Sequence, residues 1–403
     1  MQAALKKIID FDSDDFVNNP YPTYHQLHQA GPYWLDHNQT NSSSKGMWLF
    51  GRYDDVSAIL KESVSISKRV LKVRPEQNVT PLDYNMLNQD PPDHTRLRNL
   101  VSNSFSLENI KRITPRIEGI VDDLIAKMKA KGEADFVKDF AGQLPMIVIA
   151  DFMGVPFEDH LLFCKWSSDI LCGYDSGVSS TDNFKSYHGA IKEMGNYFAE
   201  LIEYRRNNLS TDLISILIEA HDKHDQLTGN ELVSMCMLFL ISGHETTTNM
   251  LSSGMNVLLN HEEQFLKLKN NPEYLIPAIE EMLRYESPIQ RATFRITTKE
   301  CEFGGRKFAE GEQLVAVIGA ANRDPEQFDN PDVFDITRSP NRHLSFGVGI
   351  HFCLGTVLAR TEARISFGKI IEQLPNINRG KGNLRWNDKK LFRGLQNLPV
   401  SIY

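Results

Sequence analysis

Ten residues near the C-terminus, Phe346-Gly347-Val348-Gly349-Ile350-His351-Phe352-Cys353-Leu354-Gly355, set one cysteine in unusual surroundings. A cysteine that ligates a metal must be a thiolate, and its backbone must come close to whatever carries the metal. Gly347, Gly349 and Gly355 remove side chains and permit positive φ, so the chain can bend tightly beside the ligand. The run Leu354-Gly355-Thr356-Val357-Leu358-Ala359-Arg360 has a helix pattern. The sulfur would then lie near a helix N-terminus, where unpaired N–H groups and the dipole favour negative charge. Phe346 can shield the sulfur from water. The other cysteines, Cys164, Cys172, Cys236 and Cys301, form no close pairs. Neither a disulfide framework nor a Cys-rich zinc site is indicated, and small buried hydrophobes are expected.

Three further constellations carry chemistry. Glu281-Met282-Leu283-Arg284 places an acid and a base at i and i+3 on one helix face, where they can pair, just before Ser287-Pro288 should end the helix. Ser242-Gly243-His244-Glu245-Thr246-Thr247 interrupts a long apolar run with polar side chains; taken alone, its hydroxyls could simply bond back to carbonyls one turn earlier. Asp90-Pro91-Pro92-Asp93-His94-Thr95-Arg96-Leu97-Arg98 reads as a capped helix start. His94 and Arg98 share a face there, suited to holding carboxylates.

These residues need a frame. The chain has 403 residues, 41% hydrophobic and 24% charged, which excludes a disordered or fibrous protein. A net charge of −8 without a basic stripe argues against a nucleic-acid partner. The N-terminal MQAALKKIIDFDSDD has no apolar stretch long enough for a signal peptide. The most apolar internal stretch, around Met235 to Ile241, is far short of the roughly 20 residues that span a membrane. A cytoplasmic protein is expected. Helical spacing dominates: a short amphipathic segment from Asn19 to Ala30, then Leu107 to Lys131, Leu144 to Met153 and a central Glu231 to Asn260. Strands are few: Met47 to Phe50, Ala292 to Thr297 and Gln313 to Ile318, with a Gly304-Gly305 turn between two more. Asp329 to Pro340 reads as an irregular loop. The expected class is mainly α with a small β-sheet region. Length alone suggests two or three domains, at roughly 100–200 residues each, yet no linker or repeat divides the chain.

The cysteine segment resembles the haem-binding loop of the cytochrome P450 family, Phe-Gly-x-Gly-x-His-x-Cys-x-Gly, in the bacterial version with His351 where many members have Arg. The resemblance runs from Asn19-Pro20-Tyr21 to Phe392-Arg393-Gly394-Leu395 with the motifs in family order. It implies the cytochrome P450 fold as a single domain, residues 1–403, around a buried haem b whose axial ligand is the Cys353 thiolate. A thiolate there favours O–O cleavage. It also implies that Arg338 joins Glu281 and Arg284 in a buried structural triad. Gly243 would let the oxygen-binding helix widen locally, and Glu245 and Thr246 would deliver protons. His94, Arg98, Arg295 and His351 would hold the haem propionates, with His343 as a nearby candidate and Phe346, Gly347 and Gly355 completing the cofactor loop.

The implied reaction is reductive activation of O2, with one oxygen atom inserted into a C–H or C=C bond by hydroxylation or epoxidation. The haem supplies the difficult chemistry and the protein positions it. The chain ends soon after the haem-binding region, so a separate ferredoxin or flavodoxin with its reductase is expected as donor. It would dock near Arg96, Arg360 and Arg364. The substrate pocket is expected from Leu240, Gly243, Ile289, Gln290, Ala292, Thr293 and Leu395, with the stretches Val70 to Asn88, Leu171 to Phe184 and Leu391 to Leu395. The pattern, including Ser339 to Ser345, looks most like members acting on polyketides, macrolides or fatty-acyl groups, as free small molecules or on a carrier protein. A monomer without membrane contact is expected. Two other readings stay open: a peroxide-using haem-thiolate peroxygenase, and a non-enzymatic haem-based ligand sensor.

Overall fold

Six helices frame the site: α1 (Asp93–Ser102), α2 (Leu107–Lys131), α3 (Gln143–Met153), α4 (Gly229–Asn260), α5 (Leu275–Tyr285) and α6 (Thr356–Gln373). The computed structural model describes residues 13–36, 46–69, 79–176, 181–223, 226–387, 389 and 391–403. Helix α4 has 32 residues and is about 48 Å long at 1.5 Å per residue. It starts where a capping box forms: Thr228 Oγ1 accepts from the Glu231 N–H at 3.2 Å, and the Glu231 carboxylate accepts from the Thr228 N–H at 2.7 Å. Apolar side chains surround most of it, so it is buried along nearly its whole length.

The two halves of α4 serve different cores. Its N-terminal half packs Met237 and Leu240 among Ile149 and Met153 of α3, and its C-terminal half packs Leu251 with Val121 of α2, Leu283 of α5 and Phe367 of α6. Gly243 is required where α3 crosses: a Cβ there would stand 2.9 Å from Ile149 Cγ1. Backbone proximity, and not only room for a cofactor, accounts for this glycine.

The main sheet is small. Strands β1 (Tyr33–Asp36), β2 (Gly46–Phe50), β3 (Ile66–Ser67), β4 (Arg295–Thr297) and β5 (Gln313–Ala316) lie in the order β1-β2-β5-β4-β3. Only the β2–β5 pairing is parallel within it. Two strands are shorter than expected. The stretch from Ala292 is irregular until Arg295, although the Ala292 N–H still donates to Ala316 O at 2.9 Å. The Gln313 strand stops at Ala316 because Ile318 opens a short helix, Ile318–Ala321. A separate hairpin turns at Gly304 and Gly305, both with positive φ. Near the C-terminus β6 (Arg385–Trp386) pairs with β7 (Leu395–Asn397), and Leu391 and Phe392, between them in sequence, reach the site. Residues 329–340 form neither helix nor strand.

Candidate active site

A cavity of about 330 Å³ lies between α4 and the cysteine loop. Cys353, Phe346, Gly347, His351, Leu354 and Gly355 line one wall. The loop is pinned by the Cys353 N–H donating to Phe346 O at 2.9 Å and by Thr356 Oγ1 donating to Cys353 O at 2.6 Å. Gly347 and Gly349 have φ of +69° and +83°. At Gly349 a Cβ would also meet Leu60 O at 2.6 Å. Gly355 differs from expectation: its φ is −77°, and it caps α6 rather than supplying a left-handed turn. The helix begins three residues past the cysteine, at Thr356. Burial pushes the Cys353 thiol up, while the Gly355 N–H, Thr356, Arg98 and Arg360 pull it back. A buried sulfur so placed becomes a stable thiolate when a cation binds it.

The opposite charge balance appears at one side of the cavity. Lys68, His94, Arg98, Arg295 and His351 all reach it. His94 and His351 pack edge to face with centroids 4.4 Å apart. Both ring nitrogens of His94 are buried without a hydrogen-bond partner. Burial lowers His351 and His94, and it lowers Lys68 well below the usual amine range, with Arg295 adding to it. Burial also brings Arg295 down to about 10. Arg98 donates from Nη2 to Phe352 O at 2.8 Å. Asp90, the acid among these groups, already accepts from Ser67 Oγ and from the Lys68 N–H. Orphaned donors and uncompensated cations at the edge of a cavity that opens onto a cysteine fit a flat, dianionic, metal-bearing ligand, which is what haem is. Lys68 had no motif to reveal it. A lone lysine in Ile66-Ser67-Lys68-Arg69 reads as solvated until the fold buries it.

The α4 wall is broad. Leu238, Phe239, Ile241, Ser242, Gly243, Thr246, Thr247 and Met250 line the cavity, spread over more than half of the helix circumference at about 100° per residue. Thr246 Oγ1 donates to Ser242 O at 2.7 Å, and Ser242 Oγ donates to Leu238 O. Glu245 departs from expectation. It lies off the lining although Ile241 and Ser242, on the same helix face, belong to it; its side chain is turned to Lys389, whose Nζ donates to Oε1 at 2.5 Å. Leu240 shares a helix face with Gly243 and Thr247, yet it is fully buried in the core and does not line the cavity. Ile289, Ala292 and Thr293 line the cavity, whereas Gln290 does not; its side chain packs on Gly319 and donates to Ser287 O at 2.7 Å. Leu395 likewise points into the core from β7, while Leu391 and Phe392 supply the lining from that segment. From the other two expected stretches Leu82, Asn85, Met86, Leu87, Asn88 and Leu171 contribute, and residues 70–78 and 177–180 lie outside the described residues. Glu362 of α6 was not foreseen. It lines the cavity with Oε2 unpartnered, and burial raises its carboxyl well above the usual range.

Comparison with known proteins decides the family. The cytochrome P450 family pattern matches residues 174–375. The chain is 36% identical to the polyketide biosynthesis cytochrome P450 PksS of Bacillus subtilis, over 96% of this chain and 97% of that one. The chain belongs to the cytochrome P450 family. A myxobacterial cytochrome P450 solved with myristic acid superposes with a TM-score of 0.91 at 34% identity, covering 98% of each chain. P450BioI, solved with an acyl carrier protein that bears hexadec-9Z-enoic acid, superposes at 0.87 with 37% identity, covering 96% of this chain and 100% of that one. The protein is therefore a cytochrome P450 monooxygenase, and its cofactor is haem with a cysteine thiolate ligand.

Away from the cavity, this P450 buries a complete ion network. Glu281 and Arg284 are fully buried and paired twice, Arg284 Nε and Nη2 each donating to the carboxylate at 2.8 Å. Arg338 Nε reaches Glu281 Oε1 at 3.1 Å, and the Asp335 N–H and Asn341 Nδ2 complete the carboxylate at 3.0 Å each. The remaining guanidinium nitrogens donate to carbonyls of Asn322, Pro331, Val333, Asp329 and Asn330. Beside it, His343 contacts Glu280 at 3.0 Å and does not face the cavity, so it is not among the propionate groups. Arg360 also pairs with Glu280, at 2.6 Å, and stacks over Phe346. Arg96 pairs with Glu231 at 2.6 Å at the start of α4. Of the three arginines expected to meet an electron donor, two are thus engaged within the chain, while Arg364 is exposed. Among the described residues no helix is long and apolar enough to cross a membrane.

Proposed function

We propose that this P450 inserts one oxygen atom from O2 into a long apolar substrate of the fatty-acyl, polyketide or macrolide kind, free or carried on an acyl carrier protein. The observation that carries the reading is the cavity itself. Cys353 lies at one wall, and Leu82, Met86, Phe105, Ile149, Phe239 and Phe392 supply apolar surface beyond it. Apolar linings with few polar groups suit such molecules. One relative is solved with myristic acid and another with an acyl carrier protein that bears hexadec-9Z-enoic acid, and PksS is named for polyketide biosynthesis, which supports this range.

In this reading Cys353 would ligate the haem iron through its thiolate, and Lys68, His94, Arg98, Arg295 and His351 would hold the propionates. Haem, when bound, would supply oxygen activation and atom transfer. Thr246 holds a proton at Oγ1 on the cavity side of α4, now directed at Ser242 O. Phe346, under the Arg360 guanidinium, screens the sulfur. A separate ferredoxin or flavodoxin with its reductase delivers electrons, docking on the face where Phe352 is 40% exposed and Arg364 is exposed. The 403 residues act as one unit, a cytoplasmic monomer.

The test is spectroscopic. The reduced protein with carbon monoxide gives a strongly red-shifted Soret band, and Cys353→Ser loses that band while the chain still folds. Titration with a saturated C14 free acid shifts the ferric Soret band. An unaltered spectrum in Cys353→Ser would remove the ligand assignment, and no response to the acid would remove the fatty-acyl part of the substrate class.

A further inference from the structure

The bond between Lys389 and Glu245 joins residues 144 apart in sequence, and it is largely withdrawn from solvent, with side-chain exposures of 10% and 14%. A lysine this buried is not there for solubility, and a desolvated pair is costly to break from one side. Lys389 belongs to the loop between β6 and β7. Two residues later the same loop puts Leu391 and Phe392 into the cavity. On the far side its backbone is tied down: the Gln290 N–H donates to Leu391 O at 2.7 Å, the Arg393 N–H donates to Pro288 O at 2.9 Å, and Ile289 bridges Phe392. Arg393 adds a buried pair with Glu286 at 2.8 Å. Lys389 is the tie on the α4 side.

We infer that Lys389 is a positioning residue that fixes the Glu245 carboxylate beside the cavity and clamps the Leu391–Phe392 loop to α4. This rests on the reading of α4 as the helix that handles protons for oxygen chemistry. The position of Glu245 on α4 explains why a clamp is needed. Its neighbours on the same helix face, Ile241 and Ser242, line the cavity, while Glu245 itself is turned to Lys389 and does not. The helix alone does not choose between these two directions for the acid, and the lysine does. One ammonium group then sets both the position of the acid and the closure of the loop. Whatever displaces Leu391 and Phe392 also pulls on Glu245.

Amine acylation of the haem-loaded protein, read by peptide mass spectrometry, tests the bond without turnover. Lys389 reacts slowly in the parent protein and about tenfold faster or more in Glu245→Gln, the change expected when a partly buried ion pair is lost. Equal rates would overturn the inference whatever the enzyme's activity, so this arm fails separately from the monooxygenase reading. The clamp is tested with 4-phenylimidazole, which ligates haem iron and fills the space above it, by its Soret shift. Lys389→Met and Glu245→Gln each change its apparent Kd by about threefold or more, and the double variant matches the singles, as coupled neighbours do. Additive effects, or none, would separate the loop from the acid and refute the clamp. Lys389→Arg keeps the charge and restores both the parent Kd and the parent share of reducing equivalents that reach product. A variant with Arg that behaves like the one with Met would likewise count against positioning by charge.

Discussion

The network around Glu281 and the basic cluster around His94 are both deeply buried charge assemblies, and they end differently. Around Glu281 each carboxylate oxygen and each guanidinium nitrogen of Arg284 and Arg338 finds a partner inside the chain. In the cluster, Lys68, His94, Arg98, Arg295 and His351 lie close together with Asp90 beside Lys68, and among the described residues neither nitrogen of the His94 ring has a hydrogen-bond partner. Unpaired buried charge is costly. An assembly that is complete in itself holds the fold. One left short of negative charge is shaped for a ligand that brings it. This rule separates structural from functional ion clusters without reference to any motif.

The largest expected effect breaks the complete network. Glu281→Gln strands two arginines in the interior and lowers stability by about 3–5 kcal/mol, measured as a shift in the urea midpoint of the haem-loaded protein. A shift no larger than that of a surface substitution would mean that the buried arginines find carbonyls enough without the acid.

The second effect has the opposite sign in the empty chain. Arg295→Met removes one of several like charges, so the apoprotein keeps its stability or gains some. Haem retention falls by about 1.5–3 kcal/mol, the worth of a hydrogen bond to a charged group, or roughly tenfold to a hundredfold. Transfer of haem to apomyoglobin reads the loss, and thermal melts of the apoprotein read the stability. If Arg295→Met unfolds the apoprotein as Glu281→Gln does, the two assemblies are not different in kind.

The same contrast explains what could be read ahead of the structure. Glu281, Arg284 and Arg338 were legible because Glu-x-x-Arg and its later arginine keep fixed places along the chain, and Cys353 because three glycines and a helix start surround it. The helices α2, α3 and α4 were legible within a residue or two from apolar spacing alone. What failed was side-chain direction. Leu240 and Glu245 sit on the right helix with their side chains taken up by the core and by Lys389, and Gln290 and Leu395 on the right segments with their side chains turned away from the cavity. A motif names a neighbourhood, and tertiary contacts decide which members face inward. Helix phase does not separate them at α4: Leu240 shares a face with Thr247, and Glu245 with Ile241 and Ser242, and those three partners line the cavity. The core packing of Leu240 and the Lys389 partner of Glu245 make the difference. Lys68 was hidden for the same reason, since its burial depends on the pairing of β3 with β4, a contact between residues 66–67 and 296–297.

A third assembly lies between the two and gives the smallest effect. Glu280 of α5 accepts from His343 and from Arg360 of α6, and Arg360 covers Phe346 above the cysteine loop. Burial pushes the Glu280 carboxyl up, but the hydrogen bonds from Arg360 and His343 outweigh it and hold the group at about 2. The folded value lies below the unfolded one, so the stabilisation is fully present above the ordinary carboxylate range. It is lost as pH falls from about 4.5 towards 2. The full depression would be worth about 3 kcal/mol. With Arg360 38% exposed, solvent screening reduces this to about 1–2 kcal/mol. Glu280→Gln should therefore flatten the stability curve between pH 5 and pH 2, an effect of about that size, while leaving haem retention at pH 7 nearly unchanged. An acid limb equally steep in the variant would assign it to other carboxylates. Loss of haem at pH 7 would show instead that the α5–α6 pairing, through Arg360 and Phe346, belongs to the ligand-dependent assembly rather than to the self-sufficient one.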